Sequence, residues 1–217
     1  MTTRVMVVED EMLFRDMLKM SLASQTHLEV VGAAGDGESA VRIARESRPD
    51  VILMDIELAG GANGIETGLR IKEESPQIGI VLLSLHNEKE YLSAIPLERA
   101  SGWSYLMKRS VADFATLTRV VEGAAAGLTV LDPAIVQSLR PKKGTPIDLL
   151  TTRHRQVLQL MAQGYSNAAV AQMLFISEKS VENYINAIYQ NLQLGRDEPI
   201  HPRVKAVLMF LTHSHQE

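Results

Sequence analysis

Short apolar runs recur along the first half of the chain, and four of them are closed by a polar residue. Arg4-Val5-Met6-Val7-Val8 leads into Glu9 and Asp10, and Val51-Ile52-Leu53-Met54 into Asp55. Ile80-Val81-Leu82-Leu83 leads into Ser84, and Tyr105-Leu106-Met107 into Lys108. Runs without alternation are buried on both faces, as in a parallel sheet covered by helices. The pattern predicts strands over residues 3–8, 28–33, 51–54, 78–83 and 103–107. Between them the apolar spacing turns helical. Helices are expected over 12–24, with Leu13, Met17, Met20 and the nearby Leu22 as the inward stripe, and over 38–48, with Ala40, Val41 and Ala44 inward. Further helices are expected over 65–74, over 88–95 where Pro96 interrupts, and over 111–126 where Gly127 ends the pattern. Residues 56–64 read as a glycine-rich loop. Five β/α units imply a five-stranded, doubly wound parallel sheet with right-handed crossovers, an α/β fold.

The pattern then changes. Residues 128–146 carry Pro133, Pro141, Lys142-Lys143-Gly144 and Pro146, and read as a linker with a helical stretch over 133–139. After Leu150 no strand signal remains. Helical spacing covers 153–163, 167–174, 178–192 and 202–211. The chain therefore divides into a first domain over 1–127, a linker over 128–146 and a small all-helical domain over 147–217.

Composition narrows the classes. With 46% hydrophobic and 22% charged residues among 217, the chain is an ordinary globular protein, not a disordered one. A net charge of −4 gives no global attraction to nucleic acid, so any such site must be local. There is no cysteine, which excludes disulfides, thiolate metal sites and cysteine nucleophiles. No secretory signal pattern opens the chain, and no apolar run approaches the ~20 residues that span a bilayer. A cytoplasmic protein without membrane contact is expected.

Open α/β sheets bind ligands at the carboxyl edge of their strands, where Glu9, Asp10, Asp55, Ser84 and Lys108 should converge. Crowded carboxylates repel, and their ionised forms need a cation. Mg²⁺ suits such oxygen ligands at ~2.0–2.1 Å. Asp10, Asp55 and the backbone carbonyl of Glu57 are the candidate ligands, with Glu9 a more distant partner. A carboxylate beside Mg²⁺ can attack a phosphoryl group, and Lys108 and the Ser84 hydroxyl can supply donors to the developing charge.

This order and spacing resembles the receiver domain of bacterial two-component response regulators, a flavodoxin-like fold. The resemblance covers roughly residues 2–127. It implies that Asp55 accepts a phosphoryl group from a sensor histidine kinase, and that Ser84 and Tyr105 then move and expose a face for homodimer formation. The chain departs from the family at Ala59, where a proline is common, at Arg109, where a proline follows the lysine, and at Trp103 and Pro96. The loop over 59–64 is one residue longer than usual, and Leu85 and His86 flank Ser84.

In the tail, Gly164-Tyr165-Ser166-Asn167 breaks one helix and caps the next, and Phe175-Ile176-Ser177 is a tight turn between two helices, which suits a helix-turn-helix. Thr151 is a candidate N-cap. Val181, Ile185, Ile188 and Leu192 form one apolar stripe on the second of these helices. Glu178, Lys179, Glu182, Asn183, Asn186 and Gln190 face outward. Asn and Gln pair bidentately with adenine, so this face can read bases. Leu150-Thr151-x-Arg153, Gly164-x-Ser166-Asn167, Ala171-x-x-Leu174, Ile176-Ser177, Ser180-Val181, Ile188 and Leu192 resemble the LuxR-type DNA-binding domain of NarL/FixJ response regulators, over roughly residues 147–211. The resemblance implies that Lys179, Ser180, Glu182, Asn183, Asn186 and Gln190 face double-stranded DNA.

The departures here concern charge. His154 stands where the family closes its capping box with glutamate, and Glu182, Asn186, Gln190 and Asn191 stand at its basic positions. From 147 to 217, Arg153, Arg155, Lys179, Arg196, Arg203 and Lys205 balance Asp148, Glu178, Glu182, Asp197, Glu198 and Glu217, leaving no net charge. Non-specific DNA affinity comes from phosphate neutralisation, so Lys142-Lys143, helix N-termini and dimerisation must compensate. The loop over 195–202 is long, and His213-Ser214-His215 reads as a solvated terminus rather than a metal site. The leading expectation is a phosphorylation-controlled transcriptional regulator, not an enzyme. The alternatives are an adaptor whose tail binds protein, and a Mg²⁺ phosphohydrolase with Glu57 as acid/base.

Overall fold

The computed structural model describes residues 2–59, 63–85, 95, 100–195 and 200–216. The helix expected over 88–95 (Ile95 apart), His86, Pro96, the loop tip 60–62 and residues 196–199 lie outside them. The chain forms two compact units, one from the chain up to residue 95 with 102–128, the other from 129 onward with the short stretch up to 101.

In the first unit five strands, β1 (Thr3–Val8), β2 (Leu28–Ala34), β3 (Val51–Asp55), β4 (Gly79–Ser84) and β5 (Trp103–Met107), lie parallel in the order β2-β1-β3-β4-β5. Every residue of β3, β4 and β5 is buried, as the unbroken apolar runs require. After β1 the chain winds to one side and then returns to the other, so a crevice opens where β1 and β3 end. Val8 pairs with Met54, Asp55 with Leu83 and Ser84 with Met107. That register brings the polar strand ends to one edge.

Among the described residues the helices around this sheet are α1 (Met12–Ala23), α2 (Gly37–Ser47), α3 (Gly64–Glu74) and α4 (Phe114–Ala125). Asp36 and Asn63 cap α2 and α3 by accepting the backbone N–H of Ser39 and Glu66. The last helix begins at Phe114, not at residue 111. Asp113 accepts from Ala115 N–H and Thr116 Oγ1, which starts the helix there, and a 3₁₀ turn over Lys108–Ala112 precedes it. The expected inward stripe of α1 is corrected. Leu13 and Met20 are 78% and 76% exposed and Met17 is 40% exposed, while Leu18 and Leu22 are buried. Leu18 and Leu22 repeat at helical spacing on the opposite face from Leu13, Met17 and Met20, and the sheet takes the former.

The second unit has five helices among the described residues, α5 (Pro133–Ser138), α6 (Thr152–Ala162), α7 (Asn167–Leu174), α8 (Glu178–Asn191) and α9 (Pro202–Thr212). Thr151, Ser166 and Ser177 cap α6, α7 and α8 through their side chains, each at the position where the sequence breaks helical spacing. The stretch read as a linker is folded chain. Val130, Leu131, Ile135, Val136 and Leu139 are buried, and Leu131 N–H donates to Ala162 O at 2.8 Å. Apolar residues spaced to pack a short helix outweigh the prolines at its ends.

The absence of strands after Leu150 is also corrected. β6 (Leu139–Pro141) and β7 (Ser214–Gln216) pair antiparallel, so the helical unit carries one short ribbon. Ser214 is buried and Lys142 N–H donates to His213 O at 2.9 Å, so this terminus is not solvated chain. Three residues are too few to show a period, which is why the ribbon left no signal.

Candidate functional site: an acidic pocket and a helix-turn-helix face

Glu9 and Asp10 follow β1, Asp55 ends β3, and oxygens of all three carboxylates lie within 4.8 Å of one another. Glu9 is 0% exposed, Asp55 is buried and Asp10 is exposed. Lys108, just past β5, reaches across the edge. Its Nζ donates to Asp55 Oδ2 at 2.9 Å and to Glu9 Oε1 at 3.0 Å. Glu9 Oε2 is also 2.9 Å from Nζ, so the ammonium is paired with both oxygens of that carboxylate. Backbone N–H groups of Glu57 and Glu11 donate to Asp55 Oδ1 and Glu9 Oε1, each at 3.3 Å. Ser84 is buried at the end of β4, and Tyr105 is buried on β5 opposite Leu82. Glu57 is exposed beside the pocket. Thus Glu9, Asp10 and Asp55 lie together and Lys108 bonds Glu9 and Asp55, with Glu57 touching Asp55 through its N–H.

The electrostatics are unbalanced. Three carboxylates face one ammonium. Burial, with the Asp55 charge adding to it, pushes the Glu9 carboxyl from 4.5 up to about 7, against the opposing pull of Lys108. Burial alone would lower the Lys108 ammonium, but its hydrogen bonds to Glu9 and Asp55 outweigh that and raise it. A second cation would relieve the site. The exposed Asp10 carboxylate beside Asp55, with Glu9 behind them, gives it hard oxygen donors, so the residues fit a divalent ion.

This arrangement has a measurable consequence in chelator. The folded chain holds a proton on Glu9 up to about 7, and the unfolded chain only to 4.5. The contribution to stability is therefore full below about pH 4.5 and is lost as pH rises through about 7, by at most about 3 kcal/mol. Glu9→Gln removes this slope. In thermal melts from about pH 5 to 8 without divalent ions, the wild type should lose stability relative to the variant; parallel curves would contradict the assignment.

Two features of the pocket were not apparent in the sequence. A Cβ added at Gly64 would overlap the carbonyl oxygen of Asp55, so only glycine lets α3 start this close to the end of β3. Gly64→Ala should cost about 1–3 kcal/mol in urea unfolding and displace Asp55. Phe14 and Arg15 of α1 also touch the pocket's components. Their only signal was their position shortly after the acidic pair.

In the second unit α7 and α8 are joined by the turn at Phe175, which holds φ +54 and is 95% exposed. Val181, Ile185, Ile188 and Leu192 are buried beneath α8, as expected. Lys179, Glu182, Asn183, Asn186 and Gln190 are exposed, while Ser180 is half-buried. The Ser180 hydroxyl is engaged 2.9 Å from Ser177 Oγ, and Lys179 Nζ is paired to Glu182 Oε2 at 2.9 Å. The amides of Asn183, Asn186 and Gln190 share one stripe. His154 stands edge-on to Tyr184 at 5.8 Å, and Arg153 donates to Leu174 O at 3.0 Å. The residue that departs from the capping pattern thus packs against α8 instead.

An acid–lysine pocket at the switch point of a parallel sheet, followed by a helix-turn-helix, defines a signalling module joined to a nucleic-acid-binding module. Comparison with known proteins agrees. Residues 5–122 match the response regulator receiver domain, and residues 148–209 the luxR family of bacterial regulatory proteins. The transcriptional regulatory protein DegU of Brevibacillus brevis is 32% identical over 213 residues, spanning 88% of each chain. The response regulator protein VraR of Staphylococcus aureus (strain NCTC 8325 / PS 47) is 30% identical over 218 residues, spanning 99% of each. A LuxR-family two-component response regulator from Aurantimonas sp. SI85-9A1, solved by crystallography, superposes at a TM-score of 0.56 and 30% identity, over 63% of this chain and 94% of its own.

The chain belongs to the LuxR-type response regulators, in which a receiver domain is joined to a DNA-binding domain. It is a transcriptional regulator, which decides against the adaptor and phosphohydrolase readings. Among the described residues no helix is long and apolar enough to cross a membrane.

Proposed function

We propose that Asp55 is the phosphoacceptor and that its occupancy controls DNA binding by α8. The observation that carries this is the Lys108 ammonium 2.9 Å from Asp55 Oδ2, in a pocket with an excess of carboxylates. A sensor histidine kinase is the donor. An Asp55 carboxylate oxygen forms the new O–P bond as the N–P bond of a phosphohistidine breaks, and the electron pair stays on the imidazole nitrogen. Mg²⁺, when bound, would neutralise charge on the phosphoryl oxygens. Asp10, Asp55 and the Glu57 carbonyl would hold it, with Glu9 more distant. Lys108 and the Ser84 hydroxyl stabilise the oxygens as charge builds. Because Lys108 already bonds Asp55, a phosphoryl group must share or replace that contact. Movement of Ser84 and Tyr105 then carries the change outward.

We assign residues 1–127 to the receiver and 147–217 to the DNA-binding domain, with 128–146 connecting them in a cytoplasmic protein. Phosphorylation favours a homodimer, and two copies of α8 enter successive major grooves of double-stranded DNA. Lys179, Ser180, Glu182, Asn183, Asn186 and Gln190 face the bases and phosphates. The test is anisotropy titration of a duplex selected from random sequence, with the chain treated or not with acetyl phosphate and Mg²⁺. Affinity should rise on treatment, fall steeply with salt, and not rise for Asp55→Asn. Equal affinity with and without treatment would contradict the coupling.

A further inference from the structure

Two adjacent side chains on the first turn of α1 touch the pocket's components. The Phe14 ring lies under the ammonium of Lys108, with its centroid 5.0 Å from Nζ. Next to it, Arg15 Nη1 donates to Glu9 O at 2.6 Å and, more weakly, to Asp10 O at 3.4 Å. We propose that Phe14 and Arg15 are positioning residues for phosphoryl uptake, Phe14 acting through the lysine and Arg15 through the backbone of the acidic pair. The proposal rests on Asp55 being the phosphoacceptor.

Lysine carries a compact charge on a flexible four-carbon stem. Two carboxylates alone attract it but leave it free to slide between them. A π face beneath it adds a third direction of attraction in a site largely closed to water, where such a contact is strongest. Lys108 is 11% exposed, so little water competes. Phe14 therefore sets where the ammonium stands when a phosphoryl oxygen arrives, without itself meeting that oxygen.

Arg15 has a different role. Its Nη1 donates to main-chain carbonyls, and among the described residues the guanidinium makes no ion pair. The Glu9 peptide is thereby held at both ends, its N–H donating to Ala34 O at 3.0 Å and its carbonyl accepting from Arg15. Residue 35, beside the guanidinium, is glycine. A Cβ there would lie 3.1 Å from Arg15 Nη1. Anchoring the Glu9–Asp10 backbone fixes the Asp10 carboxylate that would hold a divalent ion with Asp55, and the Glu9 carboxylate behind it. Partners that orient ligands in this way alter metal affinity by roughly 10–100-fold.

The two roles separate in one experiment on the full chain. Labelling rates with acetyl phosphate are measured across a Mg²⁺ series, and Mg²⁺ affinity of the unlabelled protein by calorimetry. Phe14→Leu should slow labelling at saturating Mg²⁺ about fivefold and leave Mg²⁺ affinity unchanged, and Phe14→Tyr should restore the rate. Arg15→Gln should weaken Mg²⁺ binding about tenfold, yet label at the wild-type rate once Mg²⁺ saturates. Rate and affinity falling together in both variants, in step with lost thermal stability, or both staying at wild type, would overturn the proposal. A wild-type chain that takes no label would instead overturn the reading of Asp55 on which it stands.

Discussion

Lys108→Ala should slow phosphoryl uptake from acetyl phosphate by about 10²–10³-fold. Among the described residues the ammonium is the one side-chain cation bonded to Asp55, at 2.9 Å, and it is nearly enclosed. A fixed charge already in place when the phosphoryl oxygens become more negative costs no reorganisation, and a single preorganised donor of this kind is typically worth ~3–4 kcal/mol. Its loss has a second effect of opposite sign. Glu9 and Asp55 would face each other without a counter-charge, so Mg²⁺ should bind Lys108→Ala more tightly than wild type. A variant that labels slowly while holding Mg²⁺ better separates a lost donor from a damaged pocket. Near wild-type labelling would remove Lys108 from the chemistry.

Asn183→Ala combined with Asn186→Ala should reduce affinity for the selected duplex by about 10²–10³-fold and leave binding to random duplex nearly unchanged. These amides stand one helical turn apart on the exposed face of α8, and among the described residues neither is spent on an intramolecular bond. Lys179, earlier on the same helix, is paired to Glu182 at 2.9 Å. Reading by amides favours adenine, because N6 and N7 offer one acceptor and one donor to a bidentate Asn. Bases selected opposite this face should therefore be adenine-rich, and each well-made pair contributes about 1–3 kcal/mol. Equal losses on specific and random duplex would mean that the two asparagines meet phosphates and not bases.

The residues of the proposed sites were legible where they sit in strongly patterned sequence. Asp55 follows four apolar residues, which fixes a buried strand and the edge at which it ends. Lys108 and Ser84 obey the same rule, so their convergence followed from topology alone. Val181, Ile185, Ile188 and Leu192 gave the buried side of α8, and hence its outer face. Where two patterns compete the sequence cannot choose. On α1 one apolar stripe holds Leu13, Met17 and Met20 and another holds Leu18 and Leu22, and only the sheet decides which is covered. Prolines around 133–146 masked a stretch whose apolar residues pack on α6. Phe14 and Arg15 were invisible for a different reason. One contact is to a lysine 94 positions away and the other is to main-chain oxygens, and neither leaves a trace in residue spacing.

Peptide mapping of the full chain after brief treatment with acetyl phosphate and Mg²⁺ addresses the central claim most directly. Asp55 should carry the phosphoryl group, the label should require Mg²⁺, and Asp55→Asn should take none. A phosphoryl group found on another residue, or label persisting in Asp55→Asn, would contradict the account.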